Sequence, residues 1–174
     1  MGRQLKDHER RLLRKVDLYS WKSDNNIHEG KIIKKYLLQD REDYIKYSKI
    51  VGHITKLVAM LKGLPQSDVL RFQMSEQLLQ RLYNMGIINS TSSLSTVEKL
   101  TVSAFCRRRL PVVMVRLKMS ETLKEATTFI EQGHVRIGPN VVTDPAFMVT
   151  RTFEDYVTWV DSSKIKRSIM KYNN

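Results

Sequence analysis

A chain of 174 residues with 41% hydrophobic side chains, 7 Gly and 4 Pro is too apolar for a disordered tail. It is also long enough to bury roughly 70% of its unfolded surface. No uninterrupted apolar stretch approaches the ~20 residues that cross a bilayer, and the amino terminus lacks the apolar segment of an export signal. The Met-Gly start has Lys6 where a myristoylation signal carries Ser or Thr. Lys and Arg number 30 against 18 acidic residues, a net charge of +12; such an excess favours a polyanionic partner, because neutralised phosphates release condensed counterions.

Over residues 5–18, Leu5, Leu12, Leu13 and Val16 form one helical stripe ringed by Arg10, Arg11, Arg14 and Lys15, which predicts a basic amphipathic helix. The plainer reading of such a charge run is a solvated surface helix. Trp21 follows, and the polar stretch 22–30, ending in Gly30, predicts a loop. Asp40 is placed to cap a helix over 41–61, in which Tyr47, Ile50, Val51, Ile54, Leu57, Val58 and Leu61 recur at three- and four-residue spacing. Gly63 and Pro65 end it. Ser67 is expected to cap the next helix, where Val69, Leu70, Leu78, Leu79, Leu82 and Tyr83 repeat until Gly86 supplies a left-handed terminator. The two helices should pair antiparallel, with a protein partner on their remaining apolar residues.

The Ser-rich stretch 88–95 divides the chain into a helical amino-terminal region, 1–95, a second unit, 96–161, and a basic tail, 162–174. Ser95 and Glu98 have capping-box spacing, although the helix proper is expected from Thr101. Val102, Phe105 and Cys106 share one face of that helix, which sends Arg107 and Arg108 outward and leaves Arg109 between. Pro111 should kink the segment or open a new helix, with Val112, Val113, Val115 and Leu117 as its buried side. Ser120 is expected to cap a helix carrying Leu123, Ala126, Thr127 and Ile130, ended by Gly133. In the run 134–142, His134, Arg136 and a Gly-Pro-Asn turn alternate with Val135, Ile137 and Val141 as a hairpin with the valines and isoleucine inward. Pro145 ends the pairing, 156–160 closes the sheet, and the tail docks through Ile165, Ile169 and Met170. The fold class is α+β: helices, then two further helices with a small antiparallel sheet.

No catalytic or cofactor constellation is legible. His8, His28, His53 and His134 lie far apart, and there is no metal-binding His or Cys pair, no Gly-rich phosphate loop and no Gly-x-Ser-x-Gly. The single cysteine, Cys106, excludes an intrachain disulfide, suits a reducing cytosol or nucleus, and reads as a small buried residue rather than a nucleophile. The expectation is therefore no metal, no cofactor, no small-molecule substrate and no catalysis. The basic surface is the stronger candidate: Arg107, Arg108, Arg109, Arg116, Lys118, Lys124, His134 and Arg136 come within reach of one another if the hairpin packs beside the helix starts. Arginine suits phosphate because its planar fork binds in a bidentate way. Alternatively the arginines bridge to Glu121, Glu125, Asp144 or Glu154; against this, residues 99–118 contain no carboxylate to pair with their cations.

Residues 102–149 resemble the S-four RNA-binding domain, named for small-subunit ribosomal protein four. The resemblance is carried by Phe105, Arg108, Arg109 and Leu110, by the helix across Ala126 and Ile130, and by the Gly133–Ile137 run. Beyond the module, 40–50, 106–114, 129–140 and 154–166 are similar to the S-four-domain subunits of the U3 small nucleolar ribonucleoprotein; the likeness is weakest at 22–35 and 86–100. Pro111 departs from the ribosomal-protein pattern and favours the nucleolar relatives. The resemblance implies a non-catalytic nucleolar RNA-binding protein of the small-subunit processome. Such a protein binds U3 snoRNA, helps it pair with pre-rRNA for the early cleavages that yield 18S rRNA, and docks on the M-phase phosphoprotein ten scaffold among other processome proteins. The family's RNA surface maps onto Arg107, Arg108, Arg109, Arg116, His134 and Arg136, and Arg10, Arg11, Arg14 and Lys15 are the candidate second RNA contact. The alternatives are a structural protein of the mature small subunit and an RNA-modifying enzyme; the second would need catalytic groups that the amino-terminal helices do not cluster.

Overall fold

The computed structural model describes residues 3–15 and 23–173. Helix α1 (Asp7–Lys15) is the core of the basic helix expected over 5–18. It starts two residues later, where the Glu9 carboxylate accepts from the Lys6 amide at 2.9 Å. Its Leu12 and Leu13 are exposed, so the leucine stripe is not buried; Val16, Leu18 and Trp21 lie outside the described residues. Of the stretch expected as a loop at 22–30, residues 23–30 belong instead to helix α2 (Ser23–Tyr36), and Lys22 lies outside the described residues. Tertiary burial overrides local composition there: Ile32 and Tyr36, one turn apart, join the core with Leu38. Leu37 takes the left-handed geometry (φ 48°) that ends the helix.

Helix α3 (Arg41–Gly63) follows its periodicity and buries Tyr47, Val58 and Leu61. Asp40 stands at its N-cap in extended geometry, but its side chain accepts no capping hydrogen bond. Asp68, not Ser67, caps helix α4 (Val69–Asn84), accepting from the Leu70 amide at 2.9 Å. Only the later part of α4 is buried, through Leu79 and Leu82; Val69 and Leu70 are exposed. Gly86 terminates the helix at φ +73°. Helix α5 (Leu94–Glu98) has Ser93 as N-cap, which places Ser95 inside the helix and rules out its capping box; Glu98 pairs with Lys62 on α3. Val58, Leu79, Leu82, Ile88 and Val97 form one apolar core.

Helix α6 (Val102–Cys106) closes a second core with α2 and α3, in which the rings of Tyr47 and Phe105 stack at 6.0 Å. Helix α7 (Leu110–Arg116) opens with Pro111 in its first turn, where the missing amide hydrogen has no helical acceptor to lose. Its buried side is Leu110, Pro111, Val113 and Met114, whereas Leu117 is exposed, because a helical face advances by three and four residues rather than by two. Thr122, not Ser120, caps helix α8 (Leu123–Glu131) in a reciprocal capping box with Glu125. Gly133, at φ +71°, leads into the sheet.

Strands β1 (Val135–Ile137), β2 (Asn140–Val141) and β3 (Val157–Trp159) form an antiparallel sheet of order β2-β1-β3. Val141 was expected inward. The register pairs it with Arg136, and directly opposed residues share a face, so it is exposed. Helices α7 and α8 and the sheet enclose a third core of Leu110, Val113, Met114, Ala126, Ile130, Val135, Ile137, Val149 and Val157. The basic tail is a helix, α9 (Lys164–Asn173). It docks only at its start: Ser163 is buried, while Ile169 and Met170 are exposed rather than anchored.

Candidate nucleic-acid interface

The three consecutive arginines have three different fates. Arg107, the C-cap of α6, is exposed and makes no ion pair among the described residues. Arg108 turns inward and is only 4% exposed. Its Nε and Nη2 donate to the Val149 carbonyl at 2.9 and 2.7 Å, and its Nη1 to Glu154 at 2.9 Å. Arg109 is 1% exposed and donates to Asp43 on α3 at 2.7 Å. The expectation that Arg108 faces solvent and that all three lack carboxylates is corrected. The joint between α6 and α7 forces the change: Arg109 is the extended N-cap of α7 and forms an isolated bridge with Met148. The two guanidiniums are thereby carried toward the 148–154 segment and α3. Their carboxylates come from 46 and 66 residues away, beyond any local count.

A further arginine, not singled out in the sequence, completes this set. Arg151 donates to the Tyr83 and Ile88 carbonyls at 3.3 and 3.1 Å, and its guanidinium lies 4.2 Å from the Tyr83 ring centroid. Its backbone amide donates to Asn84. Carbonyls at a helix C-terminus are natural arginine acceptors, and the Tyr83 carbonyl takes Arg151 in addition to the Gly86 amide at 2.8 Å, but only the fold brings position 151 to them. Arg109 and Arg151 thus tie the carboxy-terminal unit to α3 and to the end of α4, while Arg108 braces that unit internally. They are structural groups, not a solvent-facing phosphate surface.

The remaining candidates divide by partner. Arg116 is half exposed and shares Glu154 with Arg108. Arg136 donates to Asp161 at 2.8 Å and to the Thr158 hydroxyl at 3.2 Å. Lys166 also reaches Asp161, and that hydrogen bond, with the Arg136 charge, holds the Asp161 carboxyl below its ordinary range. His134 is half-buried, its Nδ1 lying 3.1 Å from the Ser163 hydroxyl. Lys118 and Lys124 are exposed and without ion pairs among the described residues. They flank the α7–α8 joint, and Lys118 stands in the left-handed region at φ +58°. On α1, Arg10, Arg11 and Arg14 are exposed; the side chain of Lys15 lies outside the described set. Cys106 is fully buried, and burial pushes its thiol up to about 11, which leaves no reactive thiolate at neutral pH.

The arrangement is suited to holding an anion chain: free or half-free cations at Arg107, Arg116, Lys118, Lys124 and Arg136, on a frame braced by buried arginines. Among the described residues no cluster of three or more His, Cys, Asp or Glu could hold a metal ion, and no helix is long and apolar enough to cross a membrane.

Residues 4–107 match the family described as ribosomal protein S4/S9 N-terminal domain, and residues 108–154 match the S4 domain. The chain is 52% identical to the U3 small nucleolar ribonucleoprotein protein IMP3 of Saccharomyces cerevisiae, covering 100% of this chain and 96% of that one. It is 49% identical to the human protein of the same name, over 99% of this chain and 95% of the relative. A more distant likeness, 27% identity over 93% of this chain and 95% of the relative, is to the small ribosomal subunit protein uS4 of Methanothermobacter thermautotrophicus.

Proposed function

The chain belongs to the IMP3 family of U3 small nucleolar ribonucleoprotein proteins, and we propose that it is the subunit that holds U3 snoRNA against pre-rRNA so that the two can pair. Its role is RNA binding in ribosome biogenesis. The observation that carries the RNA surface is the contrast within one run: Arg108 and Arg109 are consumed by Glu154, Val149 and Asp43, whereas Arg107, Lys118 and Lys124 keep their charge unpaired. Cations that the fold does not neutralise are available to phosphate.

In this reading Arg107, Arg116, Lys118, Lys124 and Arg136 contact one RNA segment, with His134 beside them. Arg10, Arg11, Arg14 and Lys15 meet the second. Holding both segments screens their repulsion and lowers the entropy lost on encounter; no bond is made or broken, so no catalytic group or cofactor is needed. Pairing would serve the early cleavages that yield 18S rRNA, in the nucleolus. The division we adopt is 1–95 for docking and the second RNA contact, 96–161 for the first RNA segment, and 162–174 as a basic extension. The protein partners we assign are the M-phase phosphoprotein ten scaffold and other processome proteins, and the exposed Met60, Val69, Leu70 and Phe72 on α3 and α4 offer the apolar surface for one of them.

Fluorescence anisotropy with single-stranded U3 RNA tests the RNA surface. With about five phosphate contacts, log affinity should fall with log salt at a slope of about -3.5. A slope near zero overturns the assignment. The uS4 likeness supports a second reading, a structural protein of the mature small subunit. Sedimentation separates the two, since a processome subunit is absent from polysomal 40S particles.

A further inference from the structure

The start of the Ser-rich stretch after α4, read from the sequence as a boundary, forms one wall of a cleft of about 220 Å³ with mixed polar and apolar lining. Asn89 and Ser90 stand on that wall and Thr96 and Thr101 on the α5–α6 side, with Lys99 and Arg107 beside them; Ile87, Ile88, Leu100 and Ala104 supply the apolar part of the lining. No carboxylate lines it. Neither Lys99 nor Arg107 makes an ion pair among the described residues, and Glu98 next door is taken by Lys62 on α3. Thr101 stands at the N-cap of α6 without using its hydroxyl on the helix.

The cleft is held in shape by the half-buried Arg151 and the buried Arg108. Arg151 fixes the Ile88 carbonyl at 3.1 Å. The Arg108 guanidinium packs so closely on Gly86 that a Cβ there would lie 2.7 Å from its carbon. Val97, 0% exposed, anchors α5 on the other side. Polar groups on fixed walls bind without first losing conformational freedom. The volume falls below the roughly 300–1,000 Å³ of small-molecule sites, and a cleft open to solvent with two cations and no acid selects an anion that enters as part of a longer chain.

We propose that this cleft binds one phosphate and its ribose from single-stranded RNA, with Lys99 and Arg107 on the phosphate and Asn89 and Thr101 on the 2′-hydroxyl. The proposal rests on the RNA-binding reading above and extends that surface from the S4 domain onto α5 and the connector. The 2′-hydroxyl both donates and accepts, which suits an amide and a hydroxyl.

Binding of oligouridylate and oligodeoxyuridylate to the full chain tests it. Lys99→Ala should make the salt slope for RNA shallower by about 0.7, and Lys99→Arg should restore it. Asn89→Ala/Thr101→Val should leave the slope unchanged but reduce the preference for RNA over DNA. All these positions are exposed, and an unchanged thermal midpoint checks that the fold is intact. Lys56→Ala, an exposed cation on α3, is the charge control; a shift equal to that of Lys99→Ala overturns the cleft. So does an unchanged slope in Lys99→Ala or an unchanged RNA preference in the double variant, while a flattened slope in Lys118→Ala/Lys124→Ala would leave the S4-domain reading standing. A wild-type slope near zero removes both.

Discussion

The seam between the amino-terminal helices and the S4 domain and the outer surface at the α7–α8 joint are both rich in cations, yet they use them in opposite ways. At the seam, Arg108, Arg109 and Arg151 give their donors to carboxylates and carbonyls from α3, α4 and the 148–154 segment. At the joint, Lys118 and Lys124 face water without partners among the described residues. A guanidinium with several fixed donors suits the first task and a mobile ammonium the second. Positive charge in this chain is therefore not one property but two, and only the exposed share should respond to salt.

The largest effect that could break this comparison is at Arg108. Arg108→Ala empties a buried side-chain site, strips the Val149 carbonyl of two donors and leaves Glu154 only its half-exposed Arg116, and should cost about 3–5 kcal/mol in denaturant unfolding. Arg107→Ala, one residue away, should stay within about 0.5 kcal/mol of wild type. Equal losses at the two positions would erase the distinction. A smaller loss is expected at Gly86→Ala, which forces a side chain into φ +73° and against the Arg108 guanidinium. Thermal unfolding should report about 1–3 kcal/mol. The smallest effect has the opposite sign. Lys118→Gly relieves a left-handed backbone at φ +58°, offset by the greater freedom of glycine in the unfolded chain, and should stabilise by about 0.5–1 kcal/mol. The same variant should flatten the salt slope for RNA by about 0.7. A variant that is more stable and binds RNA less would show that the strain at Lys118 is kept for the contact.

What the sequence made legible was whatever depends on near neighbours. The periodicity of 41–61 gave α3, Gly86 and Gly133 marked helix ends, Pro111 opened α7, and the Gly-Pro-Asn turn placed the hairpin. The family likeness located the RNA-binding unit, and full burial was the right reading of Cys106. What failed depended on distant neighbours. Helix α2 begins in a polar, Asn-containing stretch, and its reason to fold is the burial of Ile32 and Tyr36 against Tyr47 and Phe105. The exposure expected of Arg108 and Arg109 failed in the same way: the lack of acids within 99–118 argued for free arginines, while Asp43 and Glu154, the latter weighed as an alternative partner, fold back onto them. Arg151 gave no local signal at all, since its acceptors are backbone carbonyls that exist only once α4 has ended.

The 66-residue span between Asp43 and Arg109 also sets a schedule. At a synthesis rate of about 5–20 residues per second, Asp43 waits roughly 3–13 s for its buried partner and has only the exposed Lys46 of its own helix until then. During that wait the face that will receive Phe105 and Cys106 is open. A chain stopped before Phe105 and Cys106 emerge would keep the apolar face of Ile32, Tyr36 and Tyr47 uncovered, which is the form most open to aggregation.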